Sequence, residues 1–335
     1  MATNDFLTFG GAAGANVMTQ ASYAALAART AGFSSGTANS PQLNKVWRQS
    51  SIIAAVIGQF IANRSGQDAV DDGTTSTLLA NLEASIIALA GHGQCRLVAI
   101  SATTIRLTPY DGNNLMINAV TRQIPSAGVS LSNSGMSANT LYYIYAYWTG
   151  SAIALEFSAT GHSTGTNGVE IKTGDPSRTL VGMVYTSATS QFSDGPTARL
   201  VASWFNRRSV GAGLSTGGTL TFTATVSTEI STGVRINFLN WGGEAVDIKL
   251  TGQYTNSTST QSVAVQSYVD SAPYGNLCGS YVVSGGAGAA YASTSSLKPD
   301  GSYLAEGFHT AQVYGSVTGN TGSSIQMSHS LITRI

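Results

Sequence analysis

From Cys95 to the end of the chain, apolar and polar residues alternate with a period of two in a series of short segments. Successive side chains of a β-strand point to opposite faces, so this alternation predicts strands with one buried face. Short strands at regular spacing favour a β-sandwich or a barrel-like architecture. The clearest segments begin at Arg96, Thr104, Leu115, Leu141, Ala152, Thr179, Arg199, Thr219, Val234, Ala245, Ser262, Thr310 and Ser324.

The amino-acid composition of the β-rich part changes near residues 210–218, where Gly, Ser and Thr predominate. Such a composition is typical of a linker. We therefore predict a β-rich middle domain over 91–208 and a C-terminal β-sandwich over 209–335. With a helical region over 1–90, the expected fold class is α+β, mainly β.

The first ninety residues carry helical signals. Thr19 is a candidate N-cap for an Ala-rich run that ends near Gly32. A Ser-Pro start predicts a second helix over residues 40–63. The acidic pair Asp71–Asp72 predicts the start of a third helix, because negative charge is favourable at a helix N-terminus.

The second predicted helix carries an apolar seam, in which two rows of residues recur at intervals of seven. This spacing is that of the a and d positions of a coiled coil, with one polar layer at Ser50. An ordinary amphipathic helix in a three-helix domain would show a similar pattern. We favour self-association around a threefold axis, because apolar residues extend beyond one seam. The apolar seam comprises Leu43, Val46, Ser50, Ile53, Ile57 and Phe60.

Composition excludes several classes of protein. Charged residues make up only 10% of the 335 residues, and 16 basic residues balance 16 acidic ones. A neutral chain lacks the basic surface of a nucleic-acid binder. Two cysteines cannot form a disulfide framework, and no signal peptide is visible. The most apolar stretch, residues 51–62, is too short to span a bilayer, so no membrane insertion is expected.

The sequence resembles the tail fibre proteins of tailed bacteriophages over roughly residues 8–208. The resemblance begins with Gly14-Ala-Asn-Val-Met-Thr-Gln-Ala and with the run from Gly32 through Ser40-Pro-Gln-Leu-Asn-Lys-Val-Trp. It continues with Phe60-Ile-Ala-Asn-Arg-Ser-Gly-Gln-Asp, with Tyr142-Tyr-Ile-Tyr-Ala-Tyr, and with Asn167-Gly-Val-Glu-Ile-Lys-Thr-Gly-Asp. It ends with Arg178-Thr-Leu-Val-Gly-Met-Val-Tyr and Arg199-Leu-Val-Ala-Ser-Trp-Phe-Asn. Residues beyond Gly213 match no family.

The resemblance implies an elongated homotrimer within the virion tail. Its N-terminal region would attach to tail or baseplate proteins, and its variable C-terminal domain would bind a bacterial surface glycan or a pilus. Because such a protein is made in the host cytoplasm, Cys95 and Cys278 are expected to stay reduced. Three sites on one trimer would raise the effective concentration for each further binding event.

Candidate receptor contacts lie in the predicted loops of the C-terminal domain. Aromatic rings beside Gly and Asn offer rigid contact area, and neutral sugars present C–H faces that stack on such rings. Each ring could instead anchor its loop or lie in a trimer interface. The candidates are Trp241, Tyr274, Tyr291, Tyr303 and Asp300.

Catalytic motifs are not evident. No nucleophile elbow, phosphate loop or metal-ligating His spacing is present, so neither a cofactor nor a metal is expected. Glycan cleavage needs two carboxyl groups at a suitable separation, but Glu244 and Asp247 flank one predicted strand and are expected on opposite faces. We therefore expect no enzyme. Two alternatives remain, namely a structural fibre adaptor that carries a separate adhesin and a glycan-cleaving tailspike.

Overall fold

The structure is a computed structural model that describes residues 2–87, 91–218, 220–256, 261–282, 289–318 and 323–335. The chain divides into two compact units, Met1–Gly91 and His92–Ile335. The protein is mainly β with few helices. All helices of four residues or more in the described parts of the chain belong to the first unit.

The first unit contains four α-helices. Thr19 caps the first of them as predicted, because its hydroxyl accepts a hydrogen bond from the Ser22 amide at 3.1 Å. The Ala-rich run is not one helix, since it is interrupted at residues 25–27. The helices are α1 (Gln20–Ala24), α2 (Ala28–Ala31), α3 (Ser40–Ser65) and α4 (Thr75–Ile87).

The N-terminal segment runs along α3 and holds it at one point of close approach. The Asn4 side-chain amide donates to the Ala55 carbonyl at 3.0 Å, and the Asp5 amide donates to the Ala69 carbonyl at 3.0 Å. A Cβ atom at Gly58 would lie 2.2 Å from the Asn4 side-chain oxygen. Only glycine at this position lets the segment pack so closely on the helix.

The second unit contains the strands. Those of the middle part are β1 (Cys95–Ser101), β2 (Thr104–Pro109), β3 (Asn114–Ile117), β4 (Val120–Gln123), β5 (Val129–Ser132), β6 (Leu141–Trp148), β7 (Ile153–Ser158), β8 (His162–Thr164), β9 (Glu170–Lys172), β10 (Asp175–Tyr185), β11 (Asp194–Gly195), β12 (Ala198–Arg199) and β13 (Val201–Ser203). The C-terminal strands are β14 (Ser209–Ser215), β15 (Leu220–Phe222), β16 (Thr228–Glu229), β17 (Ile236–Asn240), β18 (Asp247–Asn256), β19 (Gln261–Val269), β20 (Ala272–Pro273), β21 (Cys278–Val282), β22 (Ala289–Ser295), β23 (Gly307–Val317) and β24 (Ser323–Arg334).

The middle strands form two sheets that share one core. One sheet has the order β1-β2-β5, and the other has the order β7-β6-β10-β9-β8 with β13 paired to β10. Leu97 and Ile105 of the first sheet belong to the same buried cluster as Ile144 and Val181 of the second. The hairpin of β3 and β4 contributes further apolar side chains to this cluster.

The C-terminal strands form two further sheets that pack face to face. One has the order β11-β12-β17-β23-β19-β20 and so includes two short strands of the middle part, and the other has the order β14-β24-β18-β22. Val263 and Val313 of the first sheet share a buried cluster with Leu250 and Ile325 of the second. Inward apolar residues alternating with outward polar ones give this part the layered arrangement of a β-sandwich.

The Gly- and Ser-rich segment predicted to be a linker is strand β14, so that prediction is wrong. Its residues pair in register with β24, from Ser209 opposite Arg334 to Ser215 opposite Ser328. Val210 and Ala212 point inward, whereas Gly211 and Gly213 lie on the exposed face. The segment therefore follows the strand period despite its composition.

The middle and C-terminal parts share a fourth buried cluster. Tyr145 and Leu180 lie on the face of the middle sheet that points away from the first core. They pack with Leu239, Trp241 and the C-terminal residue Ile335. A parallel pairing of β12 with β17 also joins the two parts. Residues 92–335 thus form one body.

Candidate functional site

A surface pocket of about 340 Å³ opens where strands β14, β24 and β18 meet the loop before β18. It contains Tyr303, which is 49% exposed and is the one exposed ring among the predicted receptor residues whose side chains the structure describes. We call this the Tyr303 pocket. The residues that define it are Ser209, Glu244, Asp247, Tyr303, Ile332 and Arg334.

A tight turn presents Tyr303 to solvent. Within it, the Gly301 amide donates to the Lys298 carbonyl at 2.9 Å, and the Lys298 amide donates to the Ser302 carbonyl at 3.1 Å. Gly301 has a φ of +79°, which favours glycine. The next side chain after Tyr303, Leu304, is buried in the C-terminal core. The backbone is therefore held in place both before and after Tyr303, which limits the positions that its ring can take.

Asp300, another candidate, lies in the same turn. Its carboxylate accepts hydrogen bonds from the Ser302 amide at 2.9 Å and the Ser302 hydroxyl at 2.6 Å. These bonds hold the pKa of Asp300 below its usual value. The side chain is exposed but does not line the Tyr303 pocket. Its contacts shape the turn that positions Tyr303.

Three outward side chains form the strand floor of the pocket. Asp247 of β18 is the register partner of Ile332 of β24, and Arg334 is the next outward residue along β24. Ile332 is 50% exposed, an apolar residue at an outward position of an alternating strand. Arg334 makes no ion pair within the described part of the chain. The sequence analysis did not identify Ile332 and Arg334 as pocket residues, although an apolar residue at an outward strand position such as Ile332 indicates a possible binding surface.

Glu244 enters the pocket from a loop. The prediction that Glu244 and Asp247 lie on opposite faces of a strand is wrong, because β18 begins only at Asp247. One oxygen of Glu244 accepts a hydrogen bond from the Arg207 guanidinium at 2.6 Å. The other oxygen is buried and has no hydrogen-bond partner in the described structure. Arg207 therefore offsets the charge of Glu244.

Trp241 and Tyr274 do not reach the surface, which corrects their prediction as receptor contacts. Each is only 1% exposed. The Trp241 indole donates to the Ser203 carbonyl at 3.0 Å, and the Tyr274 hydroxyl lies 2.8 Å from both the Val246 and Ser296 carbonyls. Burial raises the pKa of Tyr274 to about 12. Both rings anchor loops, the alternative that the sequence left open.

Two other predictions fall partly outside the described side chains. Tyr291 was predicted in a loop but belongs to strand β22, so that placement is wrong, and its side chain lies outside the described residues. The side chain of Cys278 does so as well. Cys95 is buried without a disulfide, and burial raises the pKa of its thiol to about 12.

A second polar cluster, which sequence reasoning missed, joins the middle and C-terminal parts. The two ring nitrogens of His162 lie 2.6 Å from a Glu170 oxygen and 3.2 Å from the Glu306 oxygens. The Tyr143 hydroxyl donates to Glu306 at 2.7 Å. We call His162, Glu170, Glu306 and Tyr143 the His162 junction. Its members are up to 163 residues apart, so no local pattern could have indicated it.

The His162 junction favours a charged imidazole. Ionised carboxylates only accept hydrogen bonds, so a proton on each ring nitrogen satisfies both contacts. The hydrogen bond to Glu306 raises the pKa of His162, and the bond to Glu170 adds to this against the effect of burial. Burial alone would raise the pKa of Glu306, but hydrogen bonds from His162 and Tyr143 outweigh it and lower that pKa.

The apolar seam of α3 is open in the single chain. Ile53 is 60% exposed and Ile57 is 44% exposed, and the neighbouring Val56 is 61% exposed. Ser50 is also exposed, while Leu43, Val46 and Phe60 are half-buried. The four buried apolar clusters found in the described residues all belong to the second unit. The first unit therefore leaves most of its apolar side chains in contact with solvent.

Other kinds of site receive no support from the described residues. They contain no group of three or more His, Cys, Asp or Glu side chains arranged to hold a metal ion. None of their helices is long and apolar enough to cross a membrane.

No family model and no curated protein matches this sequence. The solved structures that resemble it include the enzymatically active domain of tailspike protein 4 of bacteriophage CBA120, at 12% identity and a TM-score of 0.18, covering 38% of this chain and 19% of that one. The Gx strain of infectious bursal disease virus gives 10% identity and a TM-score of 0.27, covering 69% and 70%. Eiger TNF from S. frugiperda gives 10% identity and a TM-score of 0.27, covering 38% and 92%. Likeness at this level places the chain in no family.

Proposed function

We propose that the protein is a tail fibre of a tailed bacteriophage, which attaches to the tail or baseplate through residues 1–90 and binds a bacterial surface receptor through its C-terminal part. The observation that carries the proposal is the open apolar seam of α3. It lies within the stretch, residues 8–208, that resembles tail fibre proteins. A chain with this seam needs a partner to cover it.

A homotrimer would cover the seam with copies of itself. The a and d spacing of the seam suits helices packed around a common axis. Exposed Ile53, Val56 and Ile57 would then be buried, at a gain of about 25 cal/mol for each Å² of apolar surface removed from water. Other tail or baseplate proteins would contact the remaining surface of the first unit.

Receptor binding is assigned to the Tyr303 pocket because an exposed ring and polar side chains line the same space. A glycan is the receptor class that suits such a surface, and a pilus is the second candidate. We propose binding without cleavage, because one of the two carboxylates in the pocket, Glu244, is already paired with Arg207. Incubation of pure protein with host polysaccharide should leave the chain length of the glycan unchanged. Shortened glycan would establish the tailspike alternative.

The proposal is tested by the binding of the labelled full-length protein to bacterial strains that the parent phage infects. The expected result is saturable binding that disappears in a mutant lacking one surface structure. The whole chain is used because residues 209–335 share a buried cluster with the middle part. A folded protein that binds none of these strains would contradict receptor binding and support the adaptor alternative.

A further inference from the structure

We propose that the Tyr303 pocket is a subsite for one neutral pyranose sugar of the bacterial surface. The inference rests on the proposed receptor-binding function and narrows it to a ligand class and to named contacts. The volume of about 340 Å³ lies at the lower end of the range for small-molecule pockets, which suits one sugar ring with part of its neighbour.

The apolar contacts come from two exposed side chains. Tyr303 and Ile332 are 49% and 50% exposed and line the same pocket. A pyranose has a face of C–H groups that packs against such surfaces. The turn from Lys298 to Ser302 holds the ring before the ligand arrives, so little conformational freedom is lost on binding.

The polar contacts come from one acceptor and one donor. Asp247 and Arg334 are diagonal neighbours across β18 and β24, a relation that separates Cβ atoms by somewhat less than about 7–8 Å. That distance spans a pyranose ring. One oxygen of the Asp247 carboxylate already accepts a hydrogen bond from the Ser296 hydroxyl, and the other would accept hydrogen bonds from sugar hydroxyls. The Arg334 guanidinium, which makes no ion pair among the described residues, would donate to hydroxyl or ring oxygens.

The charges in the pocket favour a neutral sugar over an acidic one. Two carboxylates, Glu244 and Asp247, line the same space as the one guanidinium of Arg334. Arg207 offsets Glu244, so the local charges balance. A carboxylate on the ligand would lie close to the Asp247 carboxylate as well as to the Arg334 guanidinium. A hydroxyl-bearing neutral ring meets no such repulsion.

The test measures binding of free sugars to the full-length protein by saturation-transfer NMR. Glucose, galactose, mannose and rhamnose serve as neutral probes, and glucuronic acid serves as the acidic probe. At least one neutral sugar should receive saturation, most strongly on the ring C–H protons of one face. The absence of transfer to every neutral sugar, or stronger binding of glucuronic acid, would overturn the inference.

Variants locate the binding. Tyr303→Ala and Asp247→Asn should each weaken the binding of the neutral sugar by about tenfold. Tyr303→Phe keeps the ring and should bind like the unaltered protein. The matched control is Lys249→Ala, which removes another outward charged residue of β18 outside the pocket. Unchanged sugar binding by a folded Tyr303→Ala protein would overturn the inference.

The failure of this inference is distinguishable from the failure of the proposed function. If the unaltered protein binds host cells and Tyr303→Ala binds them equally well, receptor binding stands and the pocket is not its site. If the unaltered protein binds no host cells, the proposed function itself is contradicted, whatever the sugar experiment shows.

Discussion

Aromatic side chains in similar loops have opposite roles in this protein. Trp241 is followed by two glycines and Tyr303 is preceded by Asp300-Gly-Ser, yet Trp241 is 1% exposed and Tyr303 is 49% exposed. The difference comes from distant residues. The Trp241 indole meets the Ser203 carbonyl, and the Arg207 guanidinium lies over its ring, 5.5 Å from the centroid. The sequence placed Trp241 and Tyr303 next to turn residues, but it cannot show which ring a distant strand covers.

Replacing the buried and the exposed ring should separate stability from binding. Trp241→Phe removes the hydrogen bond to Ser203 and leaves a buried carbonyl without this partner, so the free energy of unfolding should fall by about 1–3 kcal/mol. Tyr303→Ala should change it by no more than about 0.5 kcal/mol, because its ring is half-exposed. Denaturant unfolding of both variants checks this. A larger loss of stability for Tyr303→Ala would contradict the assignment of its ring to the surface.

The strands and the long helix follow from local patterns. Helix α3 was predicted over 40–63 and extends over Ser40–Ser65, because its N-terminal signal and its heptad spacing are contained in the sequence. Strand β14 was predicted to be a linker from its Gly and Ser content. Its alternation of Val210, Ala212 and Leu214 with small residues was the stronger signal, since pairing with β24 buries only every second side chain.

Contacts between distant elements could not be predicted in this way. His162 lies on β8 and Glu306 precedes β23, 144 residues further on. Their meeting depends on how the middle sheet packs against the C-terminal part. The same holds for the Tyr303 pocket, whose lining combines residues of β14, β18 and β24. Tyr303 itself was predicted, whereas Asp247 and Arg334 required the strand register.

The His162 junction should make stability depend on pH. The pKa of His162 is raised in the folded protein above its unfolded value of about 6.5. Its contribution is therefore complete below pH 6.5 and is lost as pH rises through the folded pKa. His162→Gln should lower the free energy of unfolding by about 1–2 kcal/mol at pH 6, and the difference from the unaltered protein should shrink towards pH 9.

The measurement is denaturant unfolding of both proteins between about pH 6 and pH 9. Taking the difference removes the contributions of the other histidines, which both proteins share. Glu229→Gln is the control, because it disrupts an ion pair with Arg235 remote in sequence from the junction, and the lowered pKa of Glu229 keeps its titration below this range. Its effect should not change with pH. If the difference in free energy of unfolding between the His162→Gln protein and the unaltered protein also does not change with pH, a charged His162 is contradicted.

The apolar seam of α3 should control the oligomeric state. Ile53→Asp with Ile57→Asp places two charges in the seam, which would be desolvated in an assembly. We expect the trimer to dissociate into monomers, as measured by sedimentation. Gln59→Asp with Asn63→Asp is the matched control, because both residues are exposed on the same helix outside the seam. A trimer that persists in the Ile53→Asp, Ile57→Asp protein would contradict assembly through the apolar seam.

The two units differ in how much of their apolar surface they bury. The second unit, His92–Ile335, contains four buried clusters, one of which includes residues from both its middle and its C-terminal strands. The first unit leaves its long helix open on the apolar seam. We expect this contrast in a chain that assembles through one unit and recognises a ligand with the other.

We expect this protein to be the part of a phage particle that contacts the host. The measurement is adsorption of the parent phage to its host in the presence of the purified full-length protein. Adsorption should fall in a saturable manner as protein is added, and an equal amount of the Tyr303→Ala protein should block it less. Unchanged adsorption at a saturating concentration of folded protein would contradict a role in host recognition.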